Sequence, residues 1–354
     1  MAAQHRPAAE QENEPRRLMF IHAHPDDEAS KGAATAARYL ADGAEVTLVT
    51  CTGGEAGDLL NPSAGAERPT DMGIIRALEL EASVAAIGFT RNHVLGYTDS
   101  GYHMEPADVP DGTFSRTPID EPARKIAALI RHERPQVVVT YPEDGGYPHP
   151  DHIMNHLVTM RGLELAEDPT VDLRGEADGQ PGADAAPWRV AKVYASTFVP
   201  PERIHRLHHG MLDAGLESPF VEWLEKRKDR DPGPDPDARV WCAEHFTNRD
   251  AALTAHVTQI DPNGFWFGVP RELEREHYPF EGYLLMRSDV IVHLPELDLF
   301  AGLGLPALPE AVDGTGAAAQ PVPVGAGVTA ADGQGTVQGT LEQHEAAEDP
   351  AATG

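Results

Sequence analysis

Apolar residues run without a break through Leu18, Met19, Phe20 and Ile21, and strand-like stretches rich in apolar residues recur at 44–51 and 137–141. Short uninterrupted apolar runs mark strands buried on both faces. Between the first two lies the alanine-rich stretch 31–42, which predicts a helix stopped by Gly43. These three segments form a βαβ unit. Further helices are predicted at 75–87, closed by Gly88, and at 122–133, with a short strand at 94–96 and another at 192–198. Strands alternating with helices predict an α/β fold, a mostly parallel Rossmann-like sheet with helices on both faces. Residues 167–186, rich in Asp, Gly and Pro, read as an exposed insertion in a core spanning 17–200. Residues 201–302 mix helical patterns with a charged loop at 226–239 and predict a smaller C-terminal lobe that closes the site. The leader 1–16 and the tail 303–354, which has no Lys, Arg or aromatic residue, read as disordered.

The polar residues that end these strands carry the chemistry. In open parallel sheets ligands bind beyond the carboxyl ends of the strands. His24-Pro25-Asp26-Asp27-Glu28 follows the first strand, Thr52-Gly53-Gly54-Glu55 the second, Asp99-Ser100 the third, and His149-Pro150-Asp151-His152 the fourth. Catalytic zinc takes three His or carboxylate ligands and keeps one position open; His24, Asp27 and His152 supply such a set. Asp26 lies between two of them, directed to another side, and is free to act as a base. His149 and Tyr147, the latter on the Gly145-Gly146 approach, are candidate donors to an oxyanion, and Asp151 is placed to bond the second nitrogen of a ligand histidine. Two histidines and a carboxylate also compose the facial triad of iron(II) oxygenases. A catalytically silent sugar-binding module is a third reading. The base Asp26 favours hydrolysis.

Charge narrows the partners. The chain of 354 residues carries 28 basic and 57 acidic side chains, a formal net charge of −29, which argues against nonspecific binding to nucleic acid or an anionic membrane. A small-molecule substrate is expected. Cys51 and Cys242 are far apart, so no disulfide framework is expected, and the polar N-terminus has no apolar signal segment. A cytoplasmic protein is the expectation.

The two motifs, Ala23-His24-Pro25-Asp26-Asp27-Glu28 and Gly145-Gly146-Tyr147-Pro148-His149-Pro150-Asp151-His152, resemble those of the zinc-dependent LmbE-like (PIG-L) N-deacetylases. The likeness extends over residues 17–302, through Ser30-Lys31-Gly32, Thr50-Cys51-Thr52-Gly53-Gly54-Glu55, the stretch 256–262 and the closing 298–302. It implies that His24, Asp27 and His152 hold Zn2+, with Fe2+ the other candidate. It also implies that Asp26 is the general base, that His149 stabilises the oxyanion and protonates the leaving amine, and that Tyr147 is a mobile helper. Arg76, Glu55 and Asp99 match positions that grip an inositol pseudodisaccharide, and Lys31 matches a lysine of the branch that acts on larger conjugates. The implied reaction is cleavage of the amide joining an S-substituted N-acetylcysteine to glucosaminyl-inositol, a detoxification step. Its alternative is deacetylation of N-acetylglucosaminyl-inositol.

Four other features have competing readings. His205, His208 and His209 lack a carboxylate at ligand spacing and read as surface histidines. His256 reads either as a residue approaching the metal or sugar or as a packing histidine, and Phe265-Trp266-Phe267 either as a pocket wall or as core. Gly53-Gly54 lacks the full glycine fingerprint of a dinucleotide site, which excludes NAD and FAD.

Overall fold

A computed structural model describes residues 15–305 except 66, 104–105, 175–184, 198 and 229–233. The leader up to residue 14, half of the expected insertion (175–184) and the tail from residue 306 lie outside the described residues.

The first apolar run forms β1 (Arg17–His22) and the second β2 (Glu45–Thr52), paired in parallel with Leu18 opposite Val46 and Phe20 opposite Leu48. The helix expected at 31–42 is α2 (Ala33–Ala41), and a single turn of helix, α1 (Asp27–Ser30), precedes it. The break is at Gly32, whose φ of 124° suits glycine and where an added Cβ would lie 2.6 Å from the Phe20 ring. Helix α3 (Met72–Ile87) ends on Gly88 as expected, and β3 (Arg91–Tyr97) is longer than the 94–96 segment. Then come α4 (Asp120–Glu133), β4 (Val137–Thr140), α5 (Pro150–Glu167) and β5 (Lys192–Ser196).

Beyond residue 200 the helices are α6 (Pro201–Asp213), α7 (Val221–Arg227), α8 (Phe246–Ala255) and α9 (Arg271–His277). The same region supplies β6 (Ala238–Trp241) and β7 (Phe280–Ser288). These two strands join the main sheet, whose order is β3-β2-β1-β4-β5-β7-β6. Pairing is parallel from β3 to β5 and antiparallel at β5–β7 and β7–β6. Segment 201–302, expected as a closing lobe, thus shares its sheet with the core.

Burial of both faces follows from alternation along each strand. Leu18, Phe20, Val46, Leu48, Val137 and Val139 pack with Ala33, Ala36 and Tyr39 of α2, Leu80 of α3 and Leu253 of α8. Met19, Ile21, Val49, Cys51 and Val138 face the other way, against Ile126, Leu129 and Ile130 of α4 and Met154 and Val158 of α5. With both faces covered, the open surface of the sheet is its rim. The carboxyl ends of β1, β2, β3 and β4 bring four polar clusters to one side of it. Among the described residues no helix is long and apolar enough to cross a membrane.

Candidate metal centre

His24 and Asp27 sit on the turn between β1 and α1, and His152 on the first turn of α5. One ligand atom from each lies within 4.8 Å of the others, and all three residues are buried. The hydrogen bonds around them set the tautomers. His152 Nδ1 lies 3.1 Å from the carbonyl of Gly145, so this nitrogen carries the proton and Nε2 keeps its lone pair. That Nε2 is buried, finds no hydrogen-bond partner among the described residues, and faces Asp27 Oδ1 at 3.6 Å. An orphaned lone pair directed at a buried carboxylate fits a cation. His24 repeats the arrangement: Nε2 bonds Asp151 Oδ2 at 3.2 Å, leaving Nδ1 to face Asp27 Oδ2 at 3.6 Å.

A second grouping, His24, His149 and Asp151, is also compact. Its atoms are already occupied. Asp151 accepts from Ser100 N at 2.9 Å and from Ser100 Oγ, and its own N–H donates to His149 Nδ1 at 3.1 Å. The cation therefore fits the His24, Asp27 and His152 set, with Asp151 orienting His24 from behind.

Asp27 is surrounded by donors. Its Oδ2 accepts from His24 N at 2.9 Å and from the Tyr141 hydroxyl, and its Oδ1 from Lys31 Nζ at 2.6 Å. Although burial opposes ionisation, the Lys31 ammonium beside it leads the interactions that hold its carboxyl well below the usual range. Tyr141 also accepts from Ala23 N at 2.8 Å and stacks on the His152 ring at 4.3 Å. Lys31 is buried on Asp27 and lines a cleft with Trp266, Phe280 and Tyr283.

Asp26 keeps 25% of its side chain exposed and pairs with Arg76 Nη2 at 2.5 Å. Burial pushes its carboxyl up to about 6 against the pull of Arg76. Arg76, buried, also donates to the carbonyls of Pro25 and Gly54. The glycines make room for it, since a Cβ on Gly54 would lie 2.7 Å from its Cζ and one on Gly57 2.6 Å from Nη1. Glu55 accepts from Asp99 N at 3.1 Å, and Asp99 Oδ1 lies 3.5 Å from His24 Nε2. The carboxyl of Asp99, though buried, is held low chiefly by His24. All four clusters thus converge at one rim.

His149, the N-cap of α5, has its Nδ1 occupied by the Asp151 N–H, so its ring proton is on Nε2. Its ring is 4.5 Å from that of His24, and burial together with the charge of His24 lowers its pKa, keeping the ring neutral. Tyr147 packs edge-on to His152 at 4.6 Å.

Tyr141, Ser100 and Glu28 support the site without a role that the sequence alone assigns them. Tyr141 carried a usable signal, since it directly follows a strand at the ligand-binding rim. His256 pairs with Glu28 and stands in neither metal grouping. His208 bonds Ser218 Oγ at 2.9 Å, and no metal grouping among the described residues includes its cluster. Phe265, partly buried, packs against the cluster between α6 and β7, while Trp266 and Phe267 pack against the main core.

Residues 19–162 match the model of the PIG-L family, GlcNAc-PI de-N-acetylase. Mycothiol S-conjugate amidase of Streptomyces coelicolor is 43% identical over 297 residues, covering 81% of this chain and 97% of that protein. The chain belongs to the PIG-L family. It is a hydrolase of amide bonds, which sets aside the oxygenase reading. The 1D-myo-inositol 2-acetamido-2-deoxy-alpha-D-glucopyranoside deacetylase of Geodermatophilus obscurus is 40% identical over 302 residues, with 81% of this chain and 98% of that protein covered. In fold the chain is similar to N,N'-diacetylchitobiose deacetylase from Pyrococcus horikoshii, at a TM-score of 0.51 and 16% identity over 79% of this chain and 87% of that one.

Proposed function

We propose that this PIG-L hydrolase cleaves the amide of mycothiol S-conjugates, releasing an N-acetylcysteine S-conjugate and glucosaminyl-inositol. The observation that carries the reading is the 43% identity to the Streptomyces amidase over nearly its whole length, joined to a metal-ready set of His24, Asp27 and His152. Those three residues hold zinc in this reading. When bound, the ion supplies Lewis acidity, which lowers the pKa of water towards ~7 and polarises a carbonyl.

The other residues then have separate tasks. Asp26, beside the ligands and partly exposed, takes the proton of the attacking water. His149 presents Nε2–H to the oxygen on which negative charge develops. Because Asp151 N–H already donates to Nδ1, a neutral His149 is set up to stabilise that oxygen, and delivery of a proton to the departing amine falls to Asp26 after it has been protonated. Tyr147 covers the site beside His152. Arg76, Glu55 and Asp99 form the polar wall that meets the inositol sugar, and Lys31 borders the cleft on the acyl side.

The second reading is the deacetylase of N-acetylglucosaminyl-inositol, favoured by the 40% identity to the Geodermatophilus enzyme. Amine release from a mycothiol bimane conjugate and from N-acetylglucosaminyl-inositol, measured side by side with zinc-loaded protein, separates the two. The conjugate is expected to be cleaved faster, and Asp26→Ala to lose about 100-fold or more in kcat. Faster release from the acetyl sugar would move the chain to the deacetylase reading.

A further inference from the structure

Asp26 adopts φ 110° and ψ −25°, a left-handed conformation that costs a non-glycine residue energy and persists only where its surroundings enforce it. Two contacts do so. Arg76 holds the side chain, and the backbone N–H donates to Glu28 Oε2 at 2.9 Å. The other oxygen of Glu28 is held in turn: Oε1 accepts from Ser83 Oγ and from His256 Nε2, the latter at 2.6 Å. His256 arrives from 228 positions along the chain, at the C-terminal end of α8. Both side chains of the pair are wholly buried. His256 Nδ1 is buried too and finds no hydrogen-bond partner among the described residues, so the ring is committed to Glu28 there.

We propose that His256 and Glu28 are a positioning pair that fixes the backbone of Asp26 and so keeps its carboxylate aimed at the attacking water. His256 acts through Glu28 and touches neither substrate nor metal. The proposal rests on the reading of Asp26 as the base. A pair serving stability alone would not need its second carboxylate oxygen on the one strained backbone N–H of the turn. That single contact couples a distal helix to the geometry of the proton acceptor.

A double-mutant cycle tests this with the full-length, zinc-loaded protein and whichever of the two substrates it cleaves faster. His256→Ala and Glu28→Gln are expected to lower kcat about tenfold or more, with KM, bound zinc and circular dichroism unchanged. His256→Gln, whose side-chain N–H can reach the same carboxylate, is expected to recover most of the rate. In an Asp26→Ala background, adding His256→Ala is expected to change the residual rate less than about twofold. An equal loss in both backgrounds, a raised KM or lost zinc would overturn the positioning role. If Asp26→Ala alone retained full rate, the base assignment would fall and this inference with it, a result distinct from additivity in an otherwise inactive Asp26→Ala. Should His256→Ala not fold, Glu28→Gln runs the same cycle with Asp26→Ala.

Discussion

A ligand carboxylate is only as well placed as the groups behind it, and here one phenol carries much of that work. Tyr141 donates to Asp27 Oδ2, accepts the N–H of Ala23, and lays its ring on His152, so it braces two of the three proposed ligands at once. Tyr141→Phe keeps the ring and removes the hydroxyl. Asp27 loses a donor that orients it, and the buried Ala23 N–H is left without its acceptor. Groups that orient metal ligands are worth roughly 10–100-fold in affinity, and a buried unsatisfied amide costs about 1–3 kcal/mol. The expected outcome is zinc bound 10–100-fold more weakly, read by competition with a chromophoric chelator. Unchanged affinity would show that the hydroxyl serves the fold alone.

At the scale of elements, the turn after β2 shows how backbone freedom serves chemistry. Gly54 has φ 66° and no room for a Cβ beside Arg76, whereas Gly43, at φ 83°, has nothing within 4 Å of the position a Cβ would take. Alanine at either position meets the left-handed penalty of about 1–2 kcal/mol. Only Gly54→Ala also pushes the guanidinium that holds Asp26. Both variants are expected to lose about that stability in urea unfolding, but only Gly54→Ala should also lose activity, about tenfold or more in kcat. A Gly54→Ala enzyme as active as Gly43→Ala would show that Arg76 tolerates displacement. The same contrast explains what could be read from sequence. Strands β1, β2 and β4 are buried on both faces and announce themselves as apolar runs, and the ligand set lies in two short motifs at the ends of two of them. Strands β6 and β7 give no such signal: β6 is four residues long, and most of β7 is half-buried without alternation. Helix α5 hides for a related reason, since 11 of its 18 residues are buried and no polar face stands out. The hydrogen bonds of Ser100 to Asp151 and His256 to Glu28 join residues 51 and 228 positions apart, a proximity created by the sheet order and absent from any local pattern.

For the molecule as a whole, the region after residue 200 is fastened by charge as well as by β7. Glu274 of α9 is fully buried and receives Arg203 of α6 at 2.8 Å, Arg249 of α8 at 2.8 Å and Arg271 at 2.7 Å. Three helices meet on one carboxylate. Burial alone would raise its pKa, but Arg203, Arg249 and Arg271 overcome that and hold it far below the ordinary glutamate range. With the folded pKa below the unfolded one, the unfolded chain binds the extra proton first as pH falls. The stability contributed by Glu274 is therefore complete above about pH 5 and drains away below the unfolded value of about 4.3. Glu274→Gln leaves three guanidinium groups facing a neutral amide, and removing one partner of a buried pair costs about 3–5 kcal/mol. The variant is expected to melt well below the parent at pH 7, with the gap narrowing as both are titrated towards pH 3. Because α8 ends on His256 and packs against α3, loosening this junction should also slow catalysis before the chain unfolds. A constant gap between the two melting curves from pH 7 to 3 would place the acid sensitivity of the fold elsewhere.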